Sequence, residues 1–133
     1  MNSWQVKRPF WWGLLLVMDR DASDVPSLND SAVSQSTQGL AVKVLHAQDV
    51  DLSGAGPDDV APPAPVLVDV RIGEHPHTDV LFRGTIDVPS GVLTVGDAEQ
   101  EDALEIGPGR WAVQVDCAPR QFAQTVRIWL QAM

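Results

Sequence analysis

Residues 88–97 read VPSGVLTVGD. Two apolar runs are cut by Pro89-Ser90-Gly91 and stopped by Gly96-Asp97. Proline lacks the N–H that a sheet ladder needs, and glycine accepts the positive φ of a tight turn. The stretch therefore predicts the end of one strand, a firm turn, and a short strand at 92–95. Such a turn could serve a site or only a fold. Its flanks favour the fold. Ser90-Gly91 follows Pro89 and is no Gly-x-Ser-x-Gly nucleophile elbow. Gly54-Ala55-Gly56 and Gly107-Pro108-Gly109 lack the Lys-Ser or Lys-Thr that would make a phosphate loop.

Outward from that turn, apolar residues recur with period two, the mark of a half-buried strand. Val66, Val68, Val70 and Ile72 alternate with Asp69 and Arg71. Phe82, Ile86 and Val88 alternate with Arg83, Thr85 and Asp87, so 66–72 and 80–88 are expected to pair as a hairpin across Gly73–Asp79. Trp111, Val113, Val115 and Cys117 share one face of 110–117, and Val126, Ile128 and Leu130 one face of 125–131. Strands are also expected at 4–18, 40–46 and 103–106. Residues 19–39 and 47–65, rich in Ser, Asp, Pro and Gly, read as long connections, the first with a helical turn near Asp30 to Gln35. The expectation is all-β: a single domain, residues 1–133, folded as an antiparallel β-sandwich of about eight strands.

Composition narrows the function. Apolar residues make up 44% and charged residues 20% of the 133, a globular balance. Eighteen acids against nine Lys and Arg leave a net charge of −9. Nucleic-acid binding needs a basic footprint, so no nucleic-acid partner is expected. Cys117 is the single cysteine, which excludes an intrachain disulfide and permits a reducing, cytoplasmic setting. Lys7 and Arg8 before the apolar run Phe10 to Met18 resemble the start of an export signal, but Asp19-Arg20-Asp21 follows at once. The run is too short to span a membrane, and a buried first strand is the expected reading.

Few residues offer chemistry. His75 and His77 with Glu74, Asp79 and a distant His46 form the best metal candidate, yet the cluster reads better as a solvated turn. Asp49, Asp51, Asp58 and Asp59 lack the glycine and terminal Glu of a calcium loop. No cofactor and no catalytic residue is expected. The candidate partner-binding residues are Asp97, Glu99, Glu101, Asp102 and Glu105, five acids with no base among them, together with Trp129 on the polar side of its strand. Clustered carboxylates attract a cationic partner and speed its approach. Two alternatives stand beside this: a small-ligand or carbohydrate site built on an exposed Trp, and a metal-dependent enzyme on the His75–Asp79 turn.

Residues 82–115 carry a family resemblance. Pro89-Ser-Gly-Val-Leu-Thr-Val-Gly96 followed by Pro108-Gly-Arg-Trp-Ala-Val-Gln-Val115 resembles the C-terminal half of the competence protein J-like bacterial proteins, which include a nuclease inhibitor. Val44 to Asp49 fits the same pattern. The resemblance implies a bacterial β-sandwich with a protein partner, a basic nuclease or toxin. Its motifs are turn and strand residues, so it transfers no inhibitory side chain.

Overall fold

The computed structural model describes residues 3–10, 13–23, 26, 31–45, 65–73, 80–97, 100–119 and 122–133. Among them are ten strands and no helix: β1 Ser3–Pro9, β2 Leu14–Asp19, β3 Val33–Ser36, β4 Gly39–Lys43, β5 Pro65–Ile72, β6 Phe82–Val88, β7 Val92–Gly96, β8 Glu101–Glu105, β9 Gly109–Ala118 and β10 Thr125–Ala132. They form two five-stranded sheets, ordered β1-β5-β10-β9-β6 and β3-β4-β2-β7-β8.

Alternation decides which residues meet between the sheets. The first sheet sends Val66, Val68 and Val70 inward from β5, Trp111, Val113, Val115 and Cys117 from β9, and Val126, Ile128 and Leu130 from β10. The second contributes Leu15 and Val17, Leu40 and Val42, and Leu93 and Val95. All belong to one buried cluster, and each fully buried aliphatic side chain is worth about 1.5–3 kcal/mol over its exposed state. The all-β sandwich is therefore as the alternation predicts.

Four details differ from expectation. Residues 4–18 do not form one strand: β1 lies in the first sheet and β2 in the second. Gly13 makes the crossing, at φ 65° and with its N–H donating to the Phe10 carbonyl at 3.2 Å. The polar connection 19–39 contains a strand where a helical turn was expected. Val33-Ser-Gln-Ser36 has no apolar alternation and owes its β state to pairing with β4. The predicted 66–72/80–88 hairpin does not form, because β10 and β9 stand between β5 and β6. Finally, β5 and β10 run parallel within a ladder otherwise antiparallel.

The Pro89-Ser90-Gly91 turn carries the chain from the first sheet (β6) to the second (β7). Gly91 sits at φ 77°, and its N–H donates to the Val88 carbonyl at 3.1 Å. The Gly91 carbonyl in turn accepts from the N–H groups of Ile106 and Gly107, both at 3.0 Å. Ser90 donates its N–H and hydroxyl to Asp19 Oδ1 at 3.1 and 2.6 Å. One turn thus ties β2, β7 and the β8–β9 connection together. It builds the fold.

Candidate functional site

The acidic stretch after Gly96 is the β7–β8 hairpin and its edge strand. Asp97 opens the turn. Its N–H donates to the Gln100 carbonyl at 2.9 Å, and Gln100 N–H donates to Asp97 Oδ1 at 3.0 Å. Arg8 reaches over from β1 and donates to that same Oδ1 at 3.3 Å and to the Gln100 carbonyl at 2.6 Å. The Arg8 guanidinium lies 4.2 Å above the Phe10 ring, which is fully buried. Asp97 is itself buried, so it organises the turn and pins it to the other sheet.

The hydrogen-bond phase of β8 follows from its two ends. Asp97 N–H pairs with the Gln100 carbonyl and Ile106 N–H with the Gly91 carbonyl. Antiparallel ladders alternate between hydrogen-bonded and non-bonded pairs. In the register Gly96↔Glu101 to Val92↔Glu105, Asp102 and Leu104 therefore bond to β7. The N–H and C=O groups of Glu101, Ala103 and Glu105 point away from it. The side chains sort likewise: Glu101, Ala103 and Glu105 are exposed, while Asp102 and Leu104 are half-buried on the face of Val95 and Leu93.

The structure thus brings Glu101, Asp102 and Glu105 together on β8 and sets Asp97 at its root. Glu99 lies outside the described residues. Trp129 is elsewhere: half-buried, on the outer surface of the first sheet, beside Arg71 of β5 and Gln114 of β9. Cys117 is buried, and burial first, then the Asp116 carboxylate, pushes its thiol up to about 12. That thiol is packing, not a nucleophile. Among the described residues no group of His, Cys, Asp and Glu could hold a metal ion; His46, Glu74, His75, His77 and Asp79 lie outside them. No helix of the described residues is long and apolar enough to cross a membrane.

One residue escaped the sequence reading. Phe122, in the connection before β10, is 59% exposed and sits at φ 51°. A bulky residue in the left-handed region carries backbone strain, and an aromatic left in solvent offers an anchor. No periodicity marks it, because it belongs to no strand.

No protein-family model matches this sequence, and no curated protein does. Solved structures do match. ComJ from Bacillus subtilis, an inhibitor of the DNA-degrading activity of NucA, aligns over 99% of this chain and 98% of its own, with TM-score 0.64 and 10% identity. A protein described as crocagin biosynthetic gene J aligns over 98% and 96%, with TM-score 0.54 and 14% identity. At those identities the likeness is one of fold: from end to end, this chain has the fold of ComJ.

Proposed function

We propose that this chain is a non-enzymatic bacterial binding module of the inhibitor or immunity type, which occludes the basic cleft of a nuclease- or toxin-class protein in the cytoplasm. The observation that carries the reading is β8: an exposed edge strand with Glu101 and Glu105 in solvent, in a segment 97–105 that holds no base. Carboxylates so placed stand in for the phosphates a nuclease cleft receives, and a net charge of −9 adds long-range attraction. Fold likeness to ComJ over the whole chain supports the same class of partner. The buried Cys117 thiol fits a module without covalent chemistry.

The test is inhibition of purified basic nucleases at low and high salt. Inhibition is expected to be strongest at low ionic strength, where the Debye length approaches about 30 Å at 0.01 M. Glu101→Lys with Glu105→Lys should weaken it roughly a hundredfold, within the span reported for close interfacial charge pairs. An absence of binding at either salt across the panel removes the reading.

A further inference from the structure

We infer that β8 is a strand-addition site: a cationic, extended segment of the partner lies along it and lengthens the second sheet. The inference rests on the proposed inhibitor reading and specifies how contact is made. An edge strand presents a row of main-chain donors and acceptors. On β8 these are the outward groups of Glu101, Ala103 and Glu105, which meet no other hydrogen-bonding group among the described residues. Other edges are less available. β6 is occupied: its Asp87 N–H donates to the Thr37 carbonyl at 2.9 Å, and Gln35 Nε2 donates to the Thr85 carbonyl. β3 is the four-residue strand that supplies Gln35. β1 ends in Pro9, which has no N–H to give, and carries Lys7 and Arg8.

Charge selects the occupant. In strand addition the main chain supplies affinity and alternate side chains supply specificity. The side chains flanking the outward groups of β8 are Glu, Ala and Glu, all exposed. A second copy of β8 laid antiparallel would centre Ala103 on Ala103 and place Glu101 against Glu105 twice, and directly opposed like charges destabilise a sheet. The same pattern welcomes a strand with Lys or Arg at alternate positions. The small Ala103 between them leaves room for the long stem of such a residue.

The experiment uses an end-blocked peptide of alternating Lys and Thr, titrated at low salt into the isotopically labelled full chain. The amides of Glu101, Ala103 and Glu105 should gain exchange protection on binding. Ala103→Pro removes only an outward N–H, a position where proline is tolerated in edge strands. That variant should keep the wild-type urea midpoint and bind the peptide roughly tenfold or more weakly, since main-chain bonds supply the affinity of this mode. If it fails to fold, protection of the three wild-type amides decides. Wild-type binding by Ala103→Pro, protection elsewhere, or no peptide binding overturns strand addition. Weakening by Glu101→Gln with Glu105→Gln alone would then leave the acidic docking reading standing. If neither substitution matters, both readings fall.

Discussion

Asp19 and Ser90 are separated by 71 positions in sequence, yet Ser90 gives Asp19 Oδ1 two hydrogen bonds. A third comes to Oδ2 from Asp21 N–H at 2.9 Å. Asp19 is 2% exposed, so these donors replace the water around its carboxylate. Asp19→Ala should cost about 1.5–3 kcal/mol, the range for hydrogen bonds to charged groups, read as a lower urea midpoint at unchanged slope. Nothing in the sequence joins the two residues, because a turn signal tells where the chain bends and not what it bends onto. Cys117 was legible as packing from its alternation with Val113 and Val115. Its thiol ionises near 9.0 when unfolded and about 12 when folded. The neutral thiol's contribution is therefore complete below the lower value and is lost as pH climbs between the two. A thiol reagent near pH 8, where a thiol ionising near 9.0 is already about one-tenth thiolate, should label the unfolded chain rapidly and the native chain hardly at all. Rapid native labelling would contradict the burial. Phe122→Asn, a residue that accepts left-handed backbone, should raise stability by up to about 1 kcal/mol. A drop in stability would show that the Phe122 ring packs where the structure exposes it.

At the scale of elements, strands with one dry face were readable and their neighbours were not. The inward sets of β5, β9 and β10 match the alternation residue for residue, because burial acts on each side chain separately. Pairing is a property of two segments, and the β5–β6 hairpin failed for that reason: parallel β10 gives β5 a closely matched apolar face, Val68 beside Val126 and Val70 beside Ile128. β3 was invisible since Gln35 and Ser36 hold no apolar period. The acidic cluster was legible as charge and the exposure of Glu101 and Glu105 follows the alternation of β8, but the burial of Asp97 depends on Arg8, a residue from the other sheet. That ion pair, with side chains 14% and 2% exposed, fastens β1 to the β7–β8 hairpin. Removing one partner of a buried pair costs about 3 kcal/mol, so Arg8→Ala should lower the unfolding midpoint and speed amide exchange along β8. Gly96→Ala attacks the same hairpin from within. A Cβ there would meet the Gln100 carbonyl oxygen and the Glu101 Cα, backbone atoms that cannot swing aside. Overpacking of this kind costs about 1–3 kcal/mol. An unaltered exchange pattern in β8 for both variants would show that the hairpin holds itself.

For the whole molecule, net charge conceals a division. The outer surface of the first sheet carries Lys7, Arg71, Arg83, Arg110 and Arg127, all exposed, and among the described residues its acids are Asp69, Asp87 and Asp116, buried or half-buried. Five bases less three acids make +2 there, whereas the other described residues hold six acids, Asp19, Asp21, Asp97, Glu101, Asp102 and Glu105, against three bases, Arg8, Arg20 and Lys43, which makes −3. Asp69 and Asp87 are bound in place by Arg71 at 3.3 Å and Arg110 at 3.0 Å, which leaves Lys7, Arg83 and Arg127 standing over the sheet without an ion pair among the described residues. Among the described residues, a cation meets bases on the outer surface of the first sheet and Glu101, Asp102 and Glu105 on β8, a difference that orients its encounter before contact. Position, then, should matter more than total charge. Arg83→Gln moves the net charge from −9 to −10 and Glu101→Gln moves it to −8, equal steps in opposite directions. If only the total acted, association rates with a cationic peptide would shift by matching factors. Because screening confines each charge to about 10 Å at 0.1 M salt, the loss at Glu101 should slow association severalfold while the gain at Arg83 leaves it nearly unchanged. Stopped-flow rates over a salt series read both effects, and symmetric shifts would mean that the partner does not approach along β8.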